Sequence, residues 1–503
     1  MGKKVIRGAL FIVILAAALT GVTFFNAHRK NTDKNGEYQK GSGEYSEDGV
    51  ETVTISIDEY AGFNLLLLAN GGFVTTNDSI NAKNGIKIQY KVEDDASVSS
   101  DRLISGEYQG ACYTINRIAY LQDKFDSAGT PVIMPYIMNY SNGGDGIIAV
   151  SGINSIEDLA GKVVAVPEHS EAQTVLEWLM MNSSLTEQQK KEIREKAIYC
   201  STADDAADVF FKGDADAAAT WEPHLTEALS ATETNILFDT STATALVMSG
   251  IVFPKEFAET HEEFITKMID GAMQARSEYL SDFRYLKEMP AFKLMDDSEL
   301  YEMCSYAAPA TYADNMSILN DTAVTVYSDM AKIWASLGEK ADPAKGREII
   351  TDKYMAGLKG KYNENDYTHF EFTENGRKTA ESTSNDKALL KMTLNIEFEP
   401  DSDKISRSSY EDLQRFADAA KILNRAYIQI EGNTAKAEDP RGSIEFSKRR
   451  ATNIAKYLHR MGIDYERFII IGNGDRKPIA TNDTEEGRQK NRRTEVYFKT
   501  TGY

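Results

Sequence analysis

The chain opens its regular pattern at Thr52, where Thr52-Val53-Thr54-Ile55-Ser56-Ile57 alternates with the period of two that a strand requires. The apolar run from Phe63 reads as a short helix, and Ile86–Val92 as a second strand. The stretch DRLISGEYQGACYTIN then reads as helix, turn and strand, and TPVIMPYIMNY and GIIAV are apolar runs suited to a buried sheet. Between Ser155 and Pro223 the pattern passes twice more through helix and strand, with one strand at Val163–Val166. Strands alternating with helices predict an α/β unit with a mainly parallel sheet, and beyond Phe257 the pattern turns largely helical. A separate order begins near Leu389. Leu394, Ile396 and Phe398 alternate. Leu413, Phe416, Ala417, Ala420 and Leu423 share a helix face, and AYIQIEG is a strand. Ala451, Ile454, Ala455, Leu458 and Met461 form a second helix face closed by Gly462, and RFIIIGNG and RRTEVYFK are strands. The predicted order there is βαβαβ, a loop, and β.

Two polar, aperiodic breaks, at His28–Val50 and Lys361–Asp386, divide the chain. The divisions are 1–27, a tether at 28–50, a body at 51–360, a linker at 361–386 and a C-terminal unit at 387–503. Charge supports the split. From Asn385 onward there are 22 basic and 19 acidic residues, whereas the remainder carries 34 and 58. The net charge of −21 excludes a nucleic-acid binder, which needs a basic footprint. Three well-separated cysteines, Cys112, Cys200 and Cys304, exclude a disulfide scaffold and a paired-cysteine metal site.

The N-terminus assigns the compartment. Lys3, Lys4 and Arg7 precede the uncharged run Ala9–Phe25, which approaches the length that spans a bilayer. Read as a retained anchor, it makes the membrane a partner and places the chain at the inner membrane. Read as a signal peptide cleaved near Ala16-Ala17-Ala18, it releases the rest. Both readings put residues 28–503 outside the cytoplasm, in the periplasm or cell envelope.

The segment GIIAVSGINSIEDLAGKVVAVPEHSEAQTVLEWL, with Ile156-Glu157-Asp158-Leu159-Ala160-Gly161-Lys162 at its centre, resembles type-II periplasmic solute-binding proteins of the nitrate, sulfonate, taurine and thiamine-precursor group. SGEYQGACYTIN and FFKGDADAAATWEP resemble the helix-to-strand steps of that family, in the same order. The resemblance covers about Thr52 to Leu358. It implies two α/β lobes joined by crossover strands that close on a small solute, with an ABC-transporter permease as a partner. Ligands of open α/β sheets bind beyond the carboxyl ends of strands, where helix N-termini offer free N–H groups. On that basis the solute-binding candidates are Tyr60, Thr114, Ser170, Trp221 and Glu222. Ser170 would cap the helix after it or donate to the solute. Trp221 would stack on an organic ligand or pack between lobes. A buried Glu222 would repel an anion and favour an amine.

No catalytic or metal-binding constellation appears. His28, His169, His224, His261, His369 and His459 show no metal-ligand spacing, there is no GxSxG or Walker loop, and no cofactor is implied.

Phe446-Ser447-Lys448-Arg449-Arg450-Ala451 and the string from Asn482 to Glu495, NDTEEGRQKNRRTE, resemble the OmpA-like peptidoglycan-binding domain. This second resemblance covers about Leu389 to Lys499 and implies an α+β fold of order βαβαββ. It also implies peptidoglycan as partner, gripped by an aspartate on the ammonium and an arginine on the carboxylate of the peptide stem. The arginine maps to Arg450, expected near the start of a helix and beside the Asn433–Glu438 loop. The aspartate maps to Ala435, so half of the clamp is missing, with Glu438 or Asp439 as substitutes from the same loop. Asn433, Thr434, Arg450, Arg488, Asn491 and Arg492 are the peptidoglycan-binding candidates, the later arginines with loop bracing as their alternative. The leading expectation is a non-enzymatic envelope protein that binds a solute and is tethered to the wall. The alternative is an anchored sensor or structural protein whose C-terminal domain has lost wall binding.

Overall fold

The computed structural model describes residues 49–368, 388–394, 396–399 and 402–499. The expected anchor at Ala9–Phe25 and most of the expected linker lie outside these residues. Among the described residues, no helix is long and apolar enough to cross a membrane.

The body is two lobes. The chain lays down β1 (Thr52–Ile57), β2 (Lys87–Val92), β3 (Gly110–Thr114) and β4 (Val132–Ser141), and crosses over. It then builds β5 (Asp145–Val150), β6 (Val164–Pro167), β7 (Ile198–Cys200), β8 (Ala217–Trp221) and β9 (Thr234–Asp239). It returns as β10 (Met248–Pro254) and β11 (Ala307–Pro309). The first sheet has the order β11-β4-β10-β3-β1-β2 and the second β7-β6-β8-β5-β9. The expected mainly parallel sheet is corrected to two mixed ones. β1 pairs in parallel with β2 and β3, but β10 runs antiparallel to β3 and β4, and β5 antiparallel to β8 and β9. The cause is the double crossover. A chain that leaves one lobe and comes back must insert strands of opposite direction, which local periodicity does not record.

Three helices frame the junction: α1 (Ile115–Ser127) after β3, α2 (Glu171–Met181) after β6, and α3 (Thr322–Ser336), which packs on both α1 and α2. The two crossovers are tied together. Ser141 N donates to Val247 O at 2.9 Å, and the Thr240 hydroxyl accepts from Gly143 N at 3.0 Å. Cys112, Cys200 and Cys304 are free thiols.

The C-terminal unit is a four-stranded sheet of β12 (Leu390–Leu394), β13 (Tyr427–Asn433), β14 (Phe468–Gly474) and β15 (Thr494–Lys499), in the order β12-β15-β13-β14. It carries α4 (Tyr410–Ile422) and α5 (Pro440–Arg460). The first strand lies earlier than the alternation of Leu394, Ile396 and Phe398 suggested. Leu390, Met392 and Leu394 continue the same period, and pairing with Phe498–Thr494 selects them. A shift by two residues leaves every side chain on its face, so the pattern alone cannot place the strand ends. α5 also begins earlier, at Pro440, behind an Asp439 cap that accepts from Arg441 N. Its buried face is Ala451, Ile454, Ala455 and Leu458. A Cβ at Gly432 would strike Ser447 O, so glycine there lets α5 approach the sheet.

Candidate functional site

The face between the lobes is assembled from the carboxyl ends of strands. Asp58 follows β1, with Tyr60 two residues on. Thr114 ends β3, and Asn139 lies near the end of β4. The Tyr60 hydroxyl donates to Asn139 Oδ1 at 3.3 Å. A Cβ on Gly62 would lie 2.7 Å from Asn139 Nδ2, so a larger residue would disturb that pair. The second lobe brings its helix α2. Ser170 caps α2, its oxygen accepting from Gln173 N at 3.1 Å while its hydroxyl donates to Pro167 O at 2.6 Å.

Glu171, next to Ser170, joins the lobes. It accepts from the Thr114 hydroxyl at 2.8 Å and from Arg117 Nη2 at 3.1 Å. Arg117 Nη1 also donates to His169 O at 2.6 Å, and Asn116 Nδ2 to Thr174 Oγ1 at 2.8 Å. His169 has a left-handed backbone, φ 54°, and its Nε2 lies 3.1 Å from Glu339 Oε1. A groove of about 890 Å³ adjoins this latch, bordered by Asp94, Asp95, Arg117, Tyr120, Glu339 and Lys340.

Two carboxylates of the junction, Asp58 and Asp145, are shifted upward, and Arg117 is the cation that acts on Asp58. Burial pushes the Asp58 carboxyl up to about 7, and the charges of Asp94 and Glu171 add to this while Arg117 opposes it. Asp58 Oδ1 is buried and has no hydrogen-bond partner among the described residues. Burial likewise raises Asp145 to about 6, with the Ser141 hydroxyl, 2.7 Å away, working against the shift. Burial also raises the Tyr60 phenol, helped by the charges of Asp145 and Asp58.

Trp221 stands opposite Asp145 in the β5–β8 register, and its indole N–H reaches Asp204 Oδ1 at 3.4 Å. Asp204 also lies 3.1 Å from Nε2 of buried His224. Desolvation lowers that imidazole, but hydrogen bonds to Asp204 and Glu227 outweigh it and raise it to about 9. Glu222 is raised by burial to about 7 although Thr226 donates to it twice, at 3.1 Å each. The structure thus puts Tyr60 beside Asn139 and Thr114 beside Glu171. Ser170 and Thr114 each cap a helix, and Glu222 turns to Thr226. Asp58, Arg117, Asn139, Asp145 and Glu171 were absent from the sequence candidates. Asp58 and Asp145 could have been found from their places at strand ends, but carboxylates are too common in this chain to stand out.

In the C-terminal domain, the expected position of Arg450 is corrected. It lies in the middle of α5, not at its start, because the helix begins at Pro440. Its guanidinium lies over the rings of Phe398 and Phe446, 4.5 and 4.4 Å from their centroids, and donates to Ser402 O at 2.9 Å. The dipole of a helix end therefore adds nothing at Arg450. Asn433 Oδ1 accepts from Asn473 Nδ2 at 3.0 Å, and Thr434 N donates to Gly474 O at 2.8 Å. Arg488 pairs with Glu485 at 2.8 Å, Arg492 pairs with the same carboxylate, and buried Asn491 accepts from Ile479 N and Ala480 N. These three side chains make bracing contacts within the loop. Asp439 caps α5, whereas Asp475 Oδ2 accepts from Ala437 N at 3.3 Å, against the loop that carries Ala435.

Residues 82–282 match the family described as NMT1/THI5 like, and residues 397–492 match the OmpA family. The chain joins an NMT1/THI5-like domain to a C-terminal OmpA-family domain. Over 101 residues the OmpA-family domain is 37% identical to peptidoglycan-binding protein ArfA of Mycobacterium tuberculosis, covering 20% of this chain and 31% of that one. Over 109 residues it is 31% identical to outer membrane porin F of Pseudomonas aeruginosa, covering 22% and 31%. The chain spans about a third of the length of these curated relatives. Among solved structures, the periplasmic aliphatic sulphonate binding protein SsuA from Escherichia coli aligns at 16% identity and a TM-score of 0.46. That alignment covers 60% of this chain and 99% of SsuA. The nitrate-binding protein NrtA from Synechocystis PCC 6803 aligns at 11% identity and a TM-score of 0.46, covering 62% and 90%.

Proposed function

We propose that this is an envelope solute-binding protein whose two lobes close on a small organic cation, and whose OmpA-family domain holds it to peptidoglycan. The observation that carries the solute class is Asp58. Its Oδ1 has no hydrogen-bond partner among the described residues, while the charges of Asp94 and Glu171 act on it and Arg117 opposes. An anion entering there would meet Asp58 and the field of Asp94, whereas an ammonium would complete the hydrogen bonding of Asp58 and draw off its proton. The sulfonate and nitrate in the names of the aligned structures belong to those proteins, and the charge at this junction argues for a different ligand.

Thermal-shift titrations of the full chain with a diamine, a quaternary ammonium, taurine, nitrate and an alkanesulfonate test the assignment. A rise in melting temperature with the cations supports it, because a ligand that binds only the folded state stabilises it. A rise confined to the anions overturns it.

For the wall contact, Arg450 takes the stem carboxylate, and Asp475, standing against the loop of Ala435, takes the ammonium. Arg450→Ala and Asp475→Ala should each reduce sedimentation of the full chain with purified peptidoglycan, and Ala435→Asp should increase it. If the unaltered chain does not co-sediment, and no substitution changes that in folded protein, the alternative of a structural domain that has lost wall binding takes its place.

A further inference from the structure

The OmpA-family domain touches the two-lobed body at the segments about which the lobes must move. The turn between α4 and β13 presents Asn424 and Arg425. The Asn424 side chain forms two hydrogen bonds with buried Thr244 of the second crossover. Its Oδ1 accepts from Thr244 N at 3.2 Å, and its Nδ2 donates to Thr244 Oγ1 at 2.8 Å. Arg425 reaches both crossovers. Its backbone N–H donates to Thr242 O at 3.2 Å, and its Nη1 to Asn142 Oδ1 at 3.1 Å.

On either side of this turn the domain holds one element of each lobe. Lys421 at the end of α4 pairs with Asp321 at 2.7 Å, beside the start of α3, which packs chiefly on α1 of the first lobe and less on α2 of the second. At the second lobe, Ile156 N donates to Leu389 O at 2.9 Å, and Glu157 Oε1 accepts from Lys391 N at 3.1 Å. Glu157 belongs to the short helical turn Ile156–Leu159, where it also accepts from Ser184 N at 3.0 Å. The buried apolar cluster extends from the body into the C-terminal domain.

We infer that the OmpA-family domain is a strap across the hinge: it grips both crossovers and one element of each lobe, and so limits how far the lobes open. Opening would move Asp321 and Glu157 relative to each other about Asn142 and Thr242–Thr244, and a domain fixed to all of these points cannot follow both lobes at once. The angle between the lobes and the docking of the domain are therefore one coupled equilibrium. By linkage, a solute that favours closure strengthens docking by the same factor by which docking strengthens solute binding, and a load that pulls the domain away favours opening.

The test reads lobe spacing in the full chain with no solute present, so it is independent of the cation assignment. In a Cys200→Ser background, where Cys112 and Cys304 are buried, Asp101→Cys and Lys191→Cys place spin labels on exposed sites of the two lobes. The Asn424→Ala/Arg425→Ala variant should shift the label distances to longer and broader values. In a second variant without the labels, Thr244→Cys/Asn424→Cys should cross-link under mild oxidation. Unchanged distances in the folded alanine variant, or failure of the folded cysteine pair to cross-link, would overturn the strap.

Discussion

Asp58, half-buried with its Oδ1 enclosed, and buried Glu431 are acidic groups in two different domains, and their environments drive them in opposite directions. Burial pushes both upward. At Asp58 the neighbouring Asp94 and Glu171 add to that push, and the carboxyl ends at about 7 with one oxygen lacking a partner among the described residues. At Glu431 the hydrogen bonds from Lys477, Asn473 and Gln429 outweigh the desolvation, and the carboxyl is held below its usual value. The same contrast extends outward. Glu495 is paired with Lys391 and Arg493, and Glu485 with Arg488 and Arg492. Charge that the fold has already neutralised holds a sheet and a loop together. In the proposed function, the uncompensated carboxylate at the junction of the two lobes is where the cationic solute would bind.

The largest effect is expected from Asp58→Asn. It should weaken the binding of a cationic solute by about 2 kcal/mol or more, some thirtyfold in Kd by titration calorimetry, because a desolvated charged pair is lost. The same substitution should stabilise the protein without ligand. A folded-state pKa raised above the unfolded value means that the native state binds the proton more tightly, so the stability it contributes falls as pH rises from about 4 to about 7. Denaturation midpoints should therefore favour Asp58→Asn above pH 7 and converge with the parent near pH 4. Unchanged affinity in the folded variant would remove Asp58 from the site.

Glu431→Gln should act in the opposite sense, destabilising the C-terminal domain by about 1–3 kcal/mol, because Lys477 loses its charged partner. Here the folded pKa is depressed. The stability is present above the unfolded value near 4.5 and is lost as pH falls through the lower folded one. Acid titration followed by hydrogen exchange should show this substitution loosening β13 and β14.

A smaller effect is expected from pH alone. If the cation binds only ionised Asp58, the raised pKa of about 7 makes its Kd about tenfold weaker at pH 6 than at pH 8. A flat profile across that range would separate binding from Asp58. Smallest of all is Arg488→Ala. Its pairing with Glu485 is at the surface, and its removal should cost about 1 kcal/mol or less in a denaturant titration. A larger loss would mean that the loop bears more of the domain's stability than its exposure suggests.

The period-two and helical patterns, the cap at Ser170, and the string from Asn482 to Glu495 were legible because they are local, whereas the helix Ile115–Ser127 capped by Thr114 was not read. Alternation within six residues and a cap three residues from its N–H are written in neighbouring positions. The sequence determined the α/β body, the separate βαβαββ unit and the helix cap at Ser170. The tertiary structure alone decided the direction of β5 and β10, which depends on a chain leaving one lobe and returning to it. It also decided that Arg450 lies in mid-helix against Phe398 and Phe446, that Arg117 meets Glu171, and that Asn424 meets Thr244 across 180 residues. The charge state of Asp58 belongs to the same class. Desolvation and the fields of Asp94, Glu171 and Arg117 set it, and those groups converge only once the lobes are folded together.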